Sequence, residues 1–506
     1  MTTEAIARQP FSTIAGCVRQ HARARPRDAA LVVDGQCIDW ATFDAQVDRC
    51  AAALQRDGVA PGETIAVCAA ASIAYVVVFL GALRAGVAVA PLAPGAAPGS
   101  LVRMLADAQA RRVFVDTSTA DALVEAALPR SDLESGFETW LADAVAPMPV
   151  DVRPELPFNI IYSSGTTGEP KGIVQSHAMR WAHVRRAAPQ ALGPGKVTLL
   201  ATPLYSNTTL VLFFPSLAYG STVVLMPKFD AAGYLALAER HRATHTMLVP
   251  VQYQRLMASP DFDRFDLSSF EAKSCTSAPF PAALKADVLR RWPGGLVEIY
   301  GMTEGGGTCM LEAHRHPDKL HTVGRPVEGH DIRLIDDEGR EAAAGEAGEV
   351  VGHSPGMMTG YHRRPELTRD AEWFDASGKR FIRTGDIGRF DADGFLILAD
   401  RKKDMVISGG FNIYPSDLEA QLREHPGVAE VAVVGVPSTR WGETPVAFVV
   451  RRPSDATSGE ALRDWLNARV GKTQRLAGVS IVDELPRNAI GKVLKRELRE
   501  RHGPAD

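Results

Sequence analysis

From Ile65 to Leu83 the chain carries no charged side chain, a run about as long as the ~18 apolar residues that take a helix across a bilayer. Either the run spans a membrane or it lies inside a large protein core, and the rest of the fold depends on which. Polar Ser72 interrupts it. The run divides into a strand over Thr64–Cys68, a helix from Ile73 through Arg84, and a second strand over residues 87–91. Strand, helix and strand buried against one another produce the same hydropathy as a membrane span. The sequence therefore predicts a buried α/β unit with no membrane span.

The chain has 506 residues, several times a typical domain of ~100–200, so more than one domain and a large core are expected. It is 45% hydrophobic and 23% charged, as ordinary globular proteins are. A formal charge of -4 gives no electrostatic reason to expect nucleic acid or an anionic membrane, and favours a small-molecule substrate. It leaves a homodimer open. Cys17, Cys37, Cys50, Cys68, Cys275 and Cys309 form no CxxC pair and no metal-ligand spacing, so they read as ordinary reduced thiols. The first eleven residues include Glu4 and lack the apolar stretch of a signal peptide, which makes the cytoplasm the expected compartment.

Over the first 140 residues, short apolar runs at Ala29–Val33 and 112–115 alternate with helical patterns at 40–55 and 100–110. Alternation of that kind predicts α/β sheets. Strands are expected at 158–162, 197–201, 222–226, 246–249 and 296–300. The glycines of 348–352, with Gly356 and Gly360, suggest a small β subdomain. After the charged run at 400–404 a fresh pattern begins: helix 417–424, strands 428–436 and 446–450, helix 459–470. The expected architecture is a large N-terminal domain of α/β subdomains plus a small β subdomain over 1–400, and a small mobile α+β domain over 401–506.

Chemistry concentrates first in YSSGTTGEPKG, Tyr162 to Gly172, directly behind an expected strand. Gly165 and Gly168 let backbone amides approach an anion closely, Ser163, Ser164, Thr166 and Thr167 add hydroxyl donors, and Lys171 adds positive charge. A polyphosphate makes those demands, although Gly/Ser/Thr clusters also form plain surface loops. The string is not a GxxxxGK[ST] loop, because the lysine comes too late and Gly172 follows it. Further along stand Ser277-Ala278-Pro279, Tyr300-Gly301-Met302-Thr303-Glu304, Thr384-Gly385-Asp386, Arg401 within DRKKD, Ser408-Gly409-Gly410-Phe411-Asn412, and PRNAIGKVLKREL from Pro486 to Leu498.

In this order and over nearly the whole chain, these strings resemble the motifs of the adenylate-forming (AMP-binding) superfamily, in its acyl-CoA and aryl-CoA synthetase branch. The resemblance implies an enzyme that uses ATP and Mg²⁺ to join a carboxylic acid to AMP and then passes the acyl group to coenzyme A. It implies that 163–168 and Lys171 bind phosphates, that Ser277-Ala278-Pro279 lines the adenine pocket and that Tyr300 stacks on the base. Gly301 and Met302 belong to the same motif. Thr303 would touch the α-phosphate and Glu304 would hold Mg²⁺, a hard cation that prefers oxygen ligands. Asp386 would accept from the ribose hydroxyls, with Arg401 as its companion. Lys492 would neutralise charge as the transition state forms. Lys495, Arg496, Arg499 and Arg501 read as an exposed helix face.

The family rotates its C-terminal domain between half-reactions, which makes Lys403 the expected pivot. Gly409, Gly410 and Phe411 resemble the pantetheine tunnel of CoA ligases, and Trp441 resembles a tryptophan packed on the cofactor arm. Where many CoA ligases have a PLFH segment, this chain reads Pro203-Leu204-Tyr205-Ser206, so the usual histidine is replaced. An amino-acid-activating domain would carry an Asp in an FDxS segment, and here Tyr205-Ser206-Asn207-Thr208 occupies that place. Tyr205, Ser206 and Asn207 are the expected acid-binding residues. Gly306, in Gly305-Gly306-Gly307, would leave space for a ring or medium chain, lined partly by Tyr205, Phe213 and Phe214. An aromatic or arylpropenoic acid follows. A freestanding ligase for a carrier protein, a catalytically silent nucleotide-binding regulator and a luciferase-like oxidase remain open.

Overall fold

The computed structural model describes residues 3–143, 146–163, 171–408, 411–453, 455–488 and 491–502. The uncharged run resolves as the sequence predicts: strand Thr64–Cys68, helix Ile73–Arg84 and strand Ala88–Pro91. Ser72 is the break, because its hydroxyl caps the helix by accepting from the Tyr75 amide at 3.1 Å. The two strands pair in parallel. Residues Tyr75 to Leu83 are all buried, which explains a helix apolar on every side. Among the described residues no helix is long and apolar enough to cross a membrane.

The chain divides into two compact units, Met1–Asp331 with Gly352–Ile382, and Ile332–Val351 with Arg383–Asp506. They part earlier in the chain than residue 400, where the charged run suggested a boundary.

The first unit holds two sheets. One runs Arg325–Pro326, Thr308–Glu312, Gly295–Gly301, Ala272–Cys275, His245–Leu248, Val197–Leu200, Thr222–Leu225, Ala29–Val33, Gln36–Asp39, and the strands from Gly295–Gly301 to Ala29–Val33 are parallel. The other runs Gly360–Tyr361, Lys171–Ser176, Pro157–Ser163, Ala88–Pro91, Thr64–Cys68, Ala110–Val115, Arg130–Asp132. One hydrophobic cluster takes Leu31, Leu200 and Val223 from the first sheet, Val67, Val89 and Phe158 from the second, and Phe43, Phe79, Val184 and Phe214 from helices. Helices are thus buried between two sheets, and strands covered on both faces read as continuous apolar runs. Phe213 and Phe214 are fully buried there, with Phe214 ring centroids 5.3 Å from Phe79 and 4.8 Å from Phe158. They are core rather than open pocket wall.

In the second unit the hairpin of Val428–Ser438 and Gly442–Arg451 is flanked by Val406–Ser408 with Phe411–Ile413 on one edge and by Gly478–Ile481 in parallel. Alternate residues serve opposite faces. Val431 and Val433 pack with Leu418 and Leu422 of helix Pro415–Arg423 and with Leu462 and Leu466 of helix Gly459–Asn467. Ala432 and Val434 pack with Leu498 of helix Lys495–His502. Period-two alternation covered on both sides fixes the register. The glycine-rich stretch also forms a strand as expected, Gly348–His353, which neighbours strand Asp331–Ile335.

Candidate active site

Parallel strands deliver most first-unit site residues to one edge. Tyr205 to Asn207 follow strand Val197–Leu200, Ser277 to Pro279 follow Ala272–Cys275, and Gly301 to Glu304 end or follow Gly295–Gly301. These neighbouring strands point the same way, so the three segments emerge together at their carboxyl ends, where open α/β sheets bind ligands. Ser277 has a left-handed φ of +83°, rare for a residue with a side chain, and its hydroxyl hydrogen-bonds that of Thr208. Ser206 caps helix Asn207–Tyr219 by accepting from the Thr208 amide at 3.3 Å. Burial raises the Tyr205 phenol above its ordinary pKa.

Glu304 is held at both ends. Tyr361 donates its phenolic proton to Glu304 Oε1 at 2.8 Å, and the Met358 amide donates to the Glu304 carbonyl at 2.8 Å. A cleft of ≈ 400 Å³ lined by Val174, Tyr361, His362 and Arg364 opens beside the tyrosine. The Thr303 carbonyl accepts from Gln175 Nε2 at 2.7 Å, and the same nitrogen donates to Asn207 Oδ1 at 3.3 Å. Motif reading missed Tyr361 and Gln175, because neither lies in a recognisable string, and gave no role to Thr208 within Tyr205-Ser206-Asn207-Thr208.

The glycine run has a different cause from the one the sequence suggested. A Cβ on Gly306 would lie 2.6 Å from Ile382 Cβ and 3.3 Å from the Gly352 carbonyl, and one on Gly305 would collide with the Gly356 carbonyl. The room these glycines leave is filled by the chain itself.

Lys171 opens the strand that pairs Ser163 with it, and Tyr162 donates to Asp107 at 2.8 Å. Ser164, Gly165, Thr166, Thr167 and Gly168 lie outside the described residues, as do Gly409 and Gly410; the side chains of Ser163 and Phe411 are also outside the description.

The second unit gathers its own set. Asp386 and Arg401 face each other across paired strands and form an ion pair at 2.9 Å. Lys492 is half-buried. Burial, then repulsion from Arg401 and Lys403, lowers its ammonium pKa to about 8 against the pull of Asp386 and Asp404. Asn488 holds its backbone, accepting from the Lys492 amide at 2.9 Å. Lys403 lies in the short helical turn Lys402–Asp404. Lys402 binds Asp337 at 2.8 Å, and Asp404 binds Arg499 at 2.7 Å. Lys495 pairs with Glu419 at 2.9 Å and is largely buried. Helix Lys495–His502 is therefore an exposed face at Arg496 and Arg501 and an anchored one at Lys495 and Arg499, because helix Pro415–Arg423 supplies Glu419 and the turn Lys402–Asp404 supplies Asp404. Trp441 is 48% exposed, with the Arg440 guanidinium 4.8 Å from its ring centroid.

The AMP-binding enzyme family model matches residues 18–362, and the AMP-binding enzyme C-terminal domain model matches 417–492. The chain belongs to the AMP-binding enzyme family. It is an AMP-forming acid–thiol ligase, and the family supports its use of ATP and coenzyme A. It is 34% identical over 96% of its length to a feruloyl-CoA synthase of an Amycolatopsis species, covering 98% of that protein. It is 31% identical to a fatty acid–[acyl-carrier-protein] ligase of Streptomyces coeruleorubidus, over 95% of each chain. Among solved structures, the o-succinylbenzoate CoA synthetase of Bacillus subtilis, in complex with its acyl-adenylate intermediate, superposes with a TM-score of 0.84 at 27% identity, over 96% of this ligase and 97% of that chain.

Proposed function

We propose that this ligase joins an aromatic or arylpropenoic acid, or a medium-size acid, to coenzyme A in two steps: acid and ATP give acyl-AMP and pyrophosphate, then CoA gives acyl-CoA and AMP. The observation that carries the reading is the half-buried Lys492 beside the Asp386–Arg401 pair. Burial first, and then Arg401 and Lys403, lower this ammonium to about 8, so the arrival of an anion beside it would restore the charged form.

A carboxylate is a poor electrophile, and the adenylate makes it a good one. The site needs no acid–base triad; its work is to place two anions together and exclude water. Lys171 and Lys492 offset the repulsion between acid and phosphates. Asp386, ionised and an acceptor only, takes the ribose hydroxyls, and Tyr300 offers its ring to the base. Glu304 fits Mg²⁺, since Tyr361 occupies Oε1 and Mg²⁺ in phosphate sites is usually bound by one or two carboxylates with substrate oxygens and water. When bound, the ion supplies neutralising charge to the phosphates. In this reading residues 401–506 turn about Lys403 between the steps, and Trp441 meets the CoA arm.

The carrier-protein relative supports a second reading, in which the acceptor is a phosphopantetheine on a protein. Pyrophosphate release with ATP and Mg²⁺ over benzoates, cinnamates, fatty acids and amino acids, with and without CoA, separates the two. Acid-dependent pyrophosphate with an acyl-CoA product is expected; an adenylate that CoA never discharges would favour the carrier, and no turnover with any acid would overturn the ligase reading.

A further inference from the structure

Arg180 is 1% exposed, and its Nη2 has no hydrogen-bond partner. Among the described residues no carboxylate pairs with it; its guanidinium lies against the Phe158 and Phe214 rings at 5.8 and 5.6 Å. What it does hold is the start of a hydrogen-bond relay. Its Nε donates to Asn159 Oδ1 at 2.9 Å, Asn159 Nδ2 donates to Gln175 Oε1 at 2.9 Å, and Gln175 Nε2 donates to the Thr303 carbonyl and to Asn207 Oδ1. Asn159 and Gln175 are both fully buried.

Chemistry alone sets the direction of this relay. A guanidinium has only donors and a backbone carbonyl only accepts, so both ends are unambiguous. Reversing either amide between them would face donor to donor or oxygen to oxygen in a buried place, at a cost of about 1–3 kcal/mol per unsatisfied group. Gln175 therefore shows Asn207 a proton, and Asn207 must answer with its oxygen. Its Nδ2 is left as a donor that no protein acceptor takes among the described residues, on a half-buried side chain at the first turn of helix Asn207–Tyr219.

We infer that Asn207 is a specificity-determining hydrogen-bond donor in the acyl pocket, held in that polarity by the Arg180–Asn159–Gln175 relay, and that the acid this ligase prefers carries an acceptor oxygen on its acyl part. Gln175 is then a positioning residue. The inference rests on the ligase reading and narrows its substrate class. It also gives the buried charge of Arg180 a use: the cation fixes the relay's sense.

The test compares methoxycinnamic acids with the isosteric ethylcinnamic acids at each ring position, by kcat/KM for pyrophosphate release. At one position the wild-type enzyme is expected to favour methoxy by about three- to tenfold, the worth of one hydrogen bond. Asn207→Asp keeps the oxygen that Gln175 addresses and replaces only the donor, so it should abolish that preference with little change in thermal midpoint; Gln175→Leu, which frees the Asn207 amide to turn, should weaken it. Taking ratios within an acid pair cancels any general loss of activity. A wild-type ratio near one at every position, or a preference that survives Asn207→Asp, overturns the inference while leaving the ligase intact. Failure of the wild-type enzyme to turn over any acid overturns both.

Discussion

Tyr361 donates its phenolic proton to Glu304 Oε1 across 2.8 Å, joining the short strand Gly360–Tyr361 to the segment behind strand Gly295–Gly301. Burial and the adjacent carboxylate push the phenol's pKa far above its ordinary value, so it stays a donor at any working pH. A carboxylate oriented by an outer partner is the usual arrangement where a metal is to be held, and losing such a partner costs about 10–100-fold in metal affinity or activity. Tyr361→Phe should raise the Mg²⁺ concentration that half-saturates pyrophosphate release by that order. An unchanged Mg²⁺ titration would make the tyrosine a packing residue only.

If Lys492 acts as the charge-neutralising cation, its titration sets the upper pH limit of adenylation. Burial first, then Arg401 and Lys403, favour the neutral amine, so the charged form is lost as pH rises through about 8 instead of the ordinary 10.5. In the ligand-free enzyme, half-maximal amine labelling of Lys492 is expected near pH 8. Arg401→Met removes a repulsive charge and releases Asp386, and both changes move the midpoint up. Lys492→Ala should lower adenylation by about a hundred- to a thousandfold, as loss of a preorganised transition-state contact does. A labelling midpoint above pH 10 would contradict the electrostatic account.

Gly306 separates packing from substrate fit. A Cβ there would press on Ile382 and on the Gly352 carbonyl, and overpacking of this kind costs about 1–3 kcal/mol. Gly306→Ala is expected to lower the thermal midpoint while leaving the order of preferred acids unchanged. A shift toward smaller acids at an unchanged midpoint would restore the view that this glycine makes room for substrate.

Legibility in the sequence followed locality. Ser72 and the charge-free run beside it gave strand, helix and strand, because capping and hydropathy act within a few residues. The motif strings around Glu304, Asp386 and Lys492 are local as well, but their expected roles come from the resemblance and not from capping or hydropathy. The relay is not local: Asn159, Gln175, Arg180 and Asn207 come from two strands and two helices, and each taken singly is an ordinary polar residue. Phe213 and Phe214 read as pocket wall in sequence, which shows apolarity but not which side of a helix is covered. Lys495 reads as solvent-facing because its partner, Glu419, lies on another helix, Pro415–Arg423.

Lys403 is flanked by anchored neighbours, since Lys402 is tied to Asp337 and Asp404 to Arg499. If the chain turns about this residue between half-reactions, fixing its φ with proline should slow the thioester step much more than adenylation. Single-turnover measurement of acyl-AMP formation and of its discharge by CoA checks this. Normal rates for both steps in Lys403→Pro would remove the pivot from Lys403.

Trp441 is large, apolar and 48% exposed, and Ile407 is likewise 52% exposed. Glu443 accepts from the Ile407 amide at 3.0 Å, and Ser408 pairs with Gly442, so Ile407 stands on strand Val406–Ser408 next to the turn that carries Trp441 in the second unit. An indole ring offers a flat apolar surface to a thiol-bearing arm, and covering about 20–40 Å² of it at ~25 cal/mol per Å² is worth about 0.5–1 kcal/mol. Trp441→Ala should therefore raise the KM for CoA by about two- to fivefold, with no effect on acid-dependent pyrophosphate release in the absence of CoA. An unchanged KM for CoA, together with faster discharge onto a phosphopantetheinylated carrier than onto free CoA, would point to the carrier protein as the acceptor and to Trp441 as part of the surface that meets it.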